Sequence, residues 1–156
     1  MDDKTDIRRR LDACKYLYLV DYGPGEHDLD LVVEVIEAQT ASEPSEVSTG
    51  SELVDSILGP LYPIASNSDS AKFKLTFHNY IVFAVHNESY MNVGKDEDFS
   101  KKLRTYEKSV FLNYIGESTF AGPEYPGPFK HFAVVCLNHV IEVACSGEPD
   151  IEIFEN

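Results

Sequence analysis

The longest apolar stretch of the chain, residues 129–146, is the pattern around which the rest is arranged. Phe132, Ala133, Val134, Val135, Cys136 and Leu137 precede Asn138-His139, and Val140, Ile141, Val143, Ala144 and Cys145 follow it. β-Branched and aromatic residues fit a pleated surface, and a polar pair between two apolar runs fits a turn. The spacing therefore predicts two adjacent strands turning near Asn138. Pro126, Gly127 and Pro128 bound the stretch upstream. Its polar middle is wrong for a membrane helix. These strands are placed at the centre of a sheet.

Upstream, Ile7, Leu11 and Cys14 recur at helical spacing and predict a short helix over 6–14, with Asp6 as a cap. Residues 16–22 alternate as a strand, with Tyr16, Tyr18, Val20 and Tyr22 on one face and Leu17 and Leu19 on the other. Gly23, Pro24 and Gly25 stop it. Residues 28–40 alternate again and are expected to pair with it antiparallel. Residues 41–50 read as loop, 51–58 as a short helix ended by Gly59-Pro60, and 61–70 as irregular chain. Residues 72–86 are strongly β, either a hairpin at His78-Asn79 or one long bent strand. After an acidic loop come a brief strand at 103–106 and the principal helix, 109–118, capped by Ser109. Residues 150–155 alternate as a short edge strand whose outward acids discourage further pairing. Helices do not alternate regularly with strands, so the fold class is α+β with a mainly antiparallel sheet built from hairpins.

Composition changes the picture in one respect. A chain of 156 residues with 43% hydrophobic content suits a single domain, 1–156, with a core of its own; a chain this long buries roughly 70% of its unfolded surface. The charge is unusual: 13 basic against 27 acidic residues give −14. Such a surface repels nucleic acid and anionic membranes and attracts basic proteins. Tyr16, Tyr18 and Tyr22, with the acidic run Asp96, Glu97 and Asp98, are the candidate binding residues, because tyrosine offers large contact area at low entropic cost.

Candidate chemistry is thin. Three cysteines, Cys14, Cys136 and Cys145, make an odd count without metal-type spacing, which suggests a reducing, cytoplasmic setting. The N-terminus lacks the apolar segment of a secretory signal. His78 and His86 are eight residues apart, as are His131 and His139. On an unbroken strand that separation spans about 26 Å, too far for one metal. No zinc-type or nucleophile-elbow motif is present, so no metal or cofactor is expected. The alternative is a small hydrolase or transferase using Cys136 with His131 or His139. Against it, Cys136 lies between Val135 and Leu137, where a thiol is a core residue.

The second half resembles a family of small uncharacterised bacterial proteins. The resemblance rests on Glu88-Ser-Tyr90, Tyr106-Glu-Lys-Ser109, Phe111-Leu-Asn-Tyr-Ile115, His131, Asn138-His-Val-Ile-Glu-Val143 and Glu148-Pro149. It spans under half the chain and includes no known catalytic motif. It implies a compact cytoplasmic domain encoded beside toxin or mobile-element genes, and carries over no site residues. The expectation is an acidic protein-binding module, an immunity-type inhibitor of a basic toxin. An exposed strand edge leaves a homodimer open.

Overall fold

The computed structural model describes residues 3–46, 48–92, 94–95 and 97–154. Among these, nine strands form two antiparallel sheets. The first contains β1 (Tyr16–Pro24), β2 (Leu31–Thr40), β4 (Lys72–Phe77) and β9 (Asp150–Phe154), in that order, with the two-residue β3 (Ile64–Ala65) pairing with the end of β2. The second has the order β5 (Val82–Asn87), β8 (His139–Cys145), β7 (Lys130–Val135), β6 (Leu103–Tyr106). The helices are α1 (Asp3–Ala13), α2 (Glu52–Leu58) and α3 (Val110–Ser118). None of them is long and apolar enough to cross a membrane. The α+β class, the antiparallel pairing and the central β7–β8 hairpin are as the alternation predicts.

Strand alternation places the core between the sheets. Leu17, Leu31, Val33, Val35, Phe73, Leu75 and Phe77 come from the first sheet. Leu103, Phe132, Val134, Ile141 and Val143 come from the second, and Leu11 and Cys14 close the α1 side. Phe77 and Phe132 meet across the interior with ring centroids 5.8 Å apart. Each large side chain so buried is worth about 1.5–3 kcal/mol. A second, smaller cluster lies on the other face of the second sheet, where Phe111 and Ile115 of α3 cover Ala144. Ser109 starts that helix by accepting the Leu112 N–H at 3.0 Å.

Three local features differ from the sequence pattern. The β1–β2 register shifts between Leu19 and Asp21. This bulge flips the remainder of β1, so Tyr22 pairs with Val33 on the core side and meets the Phe83 ring at 5.9 Å. Tyr16 and Tyr18 stay on the outward face, and the three tyrosines do not form one stripe. Residues 28–30 belong to a turn: the Gly25 N–H donates to the Asp30 carbonyl at 2.9 Å. A Cβ on Gly25 would lie 2.9 Å from that of Asp30, so this closure needs glycine. Residues 72–86 are neither a hairpin nor one strand. β4 and β5 lie in different sheets, and the chain crosses between them at 78–81.

One side chain bridges the two sheets and another fixes the crossover between them. Asn138, in the β7–β8 turn, accepts the Leu19 N–H at 2.9 Å and donates to the Leu19 carbonyl at 3.2 Å. Its carboxamide thus takes the place of a strand neighbour on β1, and the Leu137 N–H adds a bond to the Leu17 carbonyl at 2.8 Å. At the crossover, His78 Nδ1 lies 2.9 Å from Asp30 and Nε2 lies 2.9 Å from Asp150. Hydrogen bonds to Asp150 first, and to Asp30 next, raise the His78 pKa above its ordinary 6.5. A raised folded value gives stability that is fully present below the unfolded pKa and is lost as pH rises through the folded one. The ring is half exposed, so the effect is modest. The stability difference between the wild type and His78→Gln should therefore shrink as pH rises from about 6 to 8. Urea melts at several pH values measure it, and a difference that grows over this range would refute the clasp.

Candidate functional site

Two regions hold the groups from which chemistry or binding can be built. The first is the outward face of the second sheet. Because Phe132 and Val134 point inward, His131 points outward, towards α3. By the same alternation Glu142 and His86 share that face. Glu142 stands opposite Ala84 on one side and Ala133 on the other. These small neighbours leave room for the two histidines to reach it diagonally. His86 Nε2 lies 2.7 Å from Glu142 Oε2, and His131 Nε2 lies 3.2 Å from Oε1. Both distances fall within ion-pair range, and neither contact runs along a ring N–H with hydrogen-bond geometry. Burial alone would raise the Glu142 pKa, but the imidazoles of His131 and His86 outweigh it and hold the carboxyl below its ordinary value.

His131 is the centre of this cluster and is only 3% exposed. Its Nδ1 sits 2.9 Å from Ser109 Oγ, Tyr106 stacks on its ring at 4.7 Å, and Phe111 tilts against it at 4.9 Å. A hydroxyl, an imidazole and a carboxylate in sequence are the parts of a nucleophilic relay. Here, however, the Ser109 oxygen is already engaged as the α3 cap, and the carboxylate is shared with His86 and lies off the ring axis. What the arrangement does is tie α3, β6, β7 and β8 together under a helix. Alternation in 130–135 does place His131 opposite the core face. Its partners, 22 and 11 residues away in sequence, are not marked by any local motif; the one signal is a charged Glu142 inside an apolar run.

The thiols stand apart from this cluster. Cys136 is buried between the sheets, on the opposite side of β7 from His131, and burial pushes its pKa up to about 12. Its contact with His139 is through backbone, Cys136 N–H to His139 carbonyl at 2.9 Å. The His139 Nδ1 is buried and makes no hydrogen bond. Cys14 is pushed up to about 11, by burial first and Glu37 second, and burial also raises Cys145. The geometry thus separates Cys136 from His131 and keeps all three thiols protonated. Among the described residues no group of three or more His, Cys, Asp or Glu is arranged to hold a metal ion.

The second region is acidic. A shallow concavity of about 490 Å³ opens on the first sheet, lined by Asp21, Tyr22, Glu26, Val32, Glu34 and Lys74 among others. Pairing lines up Asp21, Glu34, Lys74 and Glu152 in a row across four strands. Lys74 leans on Glu152 at 3.8 Å, so the concavity carries the carboxylates of Asp21, Glu26 and Glu34 and one ammonium that already has a partner. Tyr22 borders this concavity. Tyr18 donates to the Ile64 carbonyl at 3.2 Å, and the Lys15 ammonium lies over the Tyr16 ring at 5.3 Å. Glu97 and Asp98 of the acidic run lie elsewhere in the chain and are spent on local structure. Glu97 accepts from Arg104 at 2.7 Å and from the Tyr106 hydroxyl at 2.8 Å. Asp98 accepts from Ser100, which lowers its pKa. Asp96 lies outside the described residues.

Residues 41–46 and 48–71 extend the acidic surface at the other end of β2. Ala41 and Ser45 donate to the carbonyls of Pro63 and Leu61 at 2.8 and 2.7 Å, forming a narrow stem with α2 at its tip. Asp55 accepts from the Thr49 N–H and hydroxyl at 2.9 and 2.7 Å. α2 buries none of its side chains. Comparison with protein-family models, with curated proteins and with solved structures found no match to this chain.

Proposed function

We propose that this chain is an acidic protein-binding module that covers a basic surface on another protein, as an immunity-type inhibitor covers a basic toxin. The observation that carries the proposal is the concavity on the first sheet, where Asp21, Glu26 and Glu34 stand together and the lysine among them pairs with Glu152. The net charge of −14 adds a long-range field that speeds encounter with a cationic partner and rejects polyanions. Three free, buried cysteines suit a reducing compartment. The alternative, hydrolysis or group transfer by Cys136, draws no support from a thiol held in the core with its pKa at about 12.

The test is binding to small basic proteins of known sequence, with a neutral protein of equal size as control. Affinity should fall by about tenfold or more between low and physiological salt. The triple variant D21N/E26Q/E34Q should lose about tenfold. The equally discharged E107Q/E117Q/E124Q, altered at exposed acids elsewhere, should stay within about threefold. Equal losses in the two variants, or affinity indifferent to salt, would reduce the acidity to a solubility device.

A further inference from the structure

The stem and its terminal helix, described over 41–46 and 48–71, make an unusual surface. Leu53, Val54, Ile57 and Leu58 lie at i, i+1, i+4 and i+5 and form one apolar stripe. Yet α2 buries nothing, and Leu53 and Ile57 are 71% and 75% exposed. Leu61 and Tyr62, just beyond the Gly59-Pro60 turn, extend the exposed apolar surface. A helix of seven residues is not stable in water by propensity alone, so its apolar face is a cost that cover from outside would remove.

Charge identifies the cover. Residues 41–71 contain Glu43, Glu46, Glu52, Asp55 and Asp69 and no lysine, arginine or histidine. A concavity of about 660 Å³ beside the helix is lined by Pro44, Glu46, Asp55 and Pro60, among others. The apolar stripe thus shares α2 with Glu52 and Asp55, on an element without a cation. A second copy of the chain would press these acids against their own kind and is disfavoured. A phospholipid surface with anionic headgroups is disfavoured for the same reason.

We propose that this arm docks a cationic amphipathic segment of the partner protein. Leucine-like side chains of that segment cover Leu53, Ile57, Leu58 and Tyr62, while its lysines and arginines meet Glu46, Glu52 and Asp55. This rests on the binding-module reading and adds to it the docking element and the chemistry that would occupy it. The sheet concavity, at the far end of β2, is left to supply the remaining charge contacts.

The probes are two synthetic helical peptides of equal positive charge, one with a leucine stripe and one with each of those leucines replaced by serine. Fluorescence anisotropy reads their affinity for the whole chain. The wild type should prefer the leucine peptide by about tenfold or more. L53S/I57S should abolish the preference while keeping the salt-dependent affinity for the serine peptide. Amide exchange over 52–62 should slow when the leucine peptide binds. Because neither leucine nor isoleucine is buried, the variant should melt with the wild type, and a melting curve checks that. The arm proposal is overturned if L53S/I57S keeps the preference or if the wild type shows none. It is equally overturned if the exposed stripe instead drives a concentration-dependent dimer or binding to phosphatidylcholine vesicles. The underlying reading fails by a different sign, absence of salt-dependent affinity for either peptide.

Discussion

A thiol reagent added near neutral pH should leave Cys14, Cys136 and Cys145 unmodified in the native protein over a time that labels all three at once in denaturant. Two physical barriers stand in the way, one on each route to reaction. All three side chains are buried, so reaction waits for an opening of the fold. At an ordinary domain stability of about 5 kcal/mol or more, an opening that requires global unfolding is populated in fewer than about one molecule in a thousand. The thiolate is also scarce, because burial pushes Cys136 up to about 12 and Cys14 up to about 11. The expected suppression is therefore about three orders of magnitude or more. Mass spectrometry of native and denatured samples measures it. Rapid single labelling at Cys136 would reverse the argument: it would place that sulfur in reach of solvent, in a setting that favours the anion, and make a Cys/His enzyme the better account.

The thiols also illustrate what sequence could and could not disclose. Cys136 between Val135 and Leu137 and Cys145 beside Ala144 were legible as core residues because strand alternation leaves them little choice. The same alternation marked β1, β2, β6, β7, β8 and β9, and Ser109 marked the start of α3. Which strands become neighbours was not legible. β4 and β5 read either as a hairpin at His78-Asn79 or as one long bent strand, and both readings keep them in one sheet; the chain crosses to the other sheet there, with Asn79 at φ 50° and His78 held by Asp30 and Asp150. The bulge after Leu19 was equally silent, since it depends on pairing with β2 and not on any residue type within β1.

Binding surface was harder still. An acidic run such as 96–98 looks like a patch in sequence, but Arg104 and Tyr106 draw Glu97 into local structure. The row Asp21, Glu34, Glu152 is assembled from three strands, so no window of sequence displays it. For α2 the apolar periodicity was visible, while its exposure was not. Periodicity marks the face that wants cover; it does not say whether the same chain provides it.

Replacing Glu142 with alanine should destabilise the fold by about 2–4 kcal/mol, which for a chain of this size lowers the melting temperature by about 5–15 °C. The cost arises because His131, 4% exposed at its side chain, would keep a buried Nε2 with no charged neighbour. His131→Ala should cost a similar amount, and the double variant little more than either single one, because the two changes remove the same contact. Ser109→Ala should cost less, about 1 kcal/mol, since it removes a cap and one contact to the ring. Acid provides a second check. The folded Glu142 carboxyl is held below its ordinary 4.5, so its contribution is present above that value and is lost as pH falls through the folded one. The gap between wild type and Glu142→Gln should accordingly close in acid, as the folded carboxyl takes up its proton. Additive losses in the double variant would mean that Glu142 serves His86 rather than His131, and that α3 is held by Phe111 and Ile115 alone. Near-additivity and a pH-independent gap together would leave the cluster no role in anchoring the helix, and the Ser109 hydroxyl beside an imidazole would then need a different explanation.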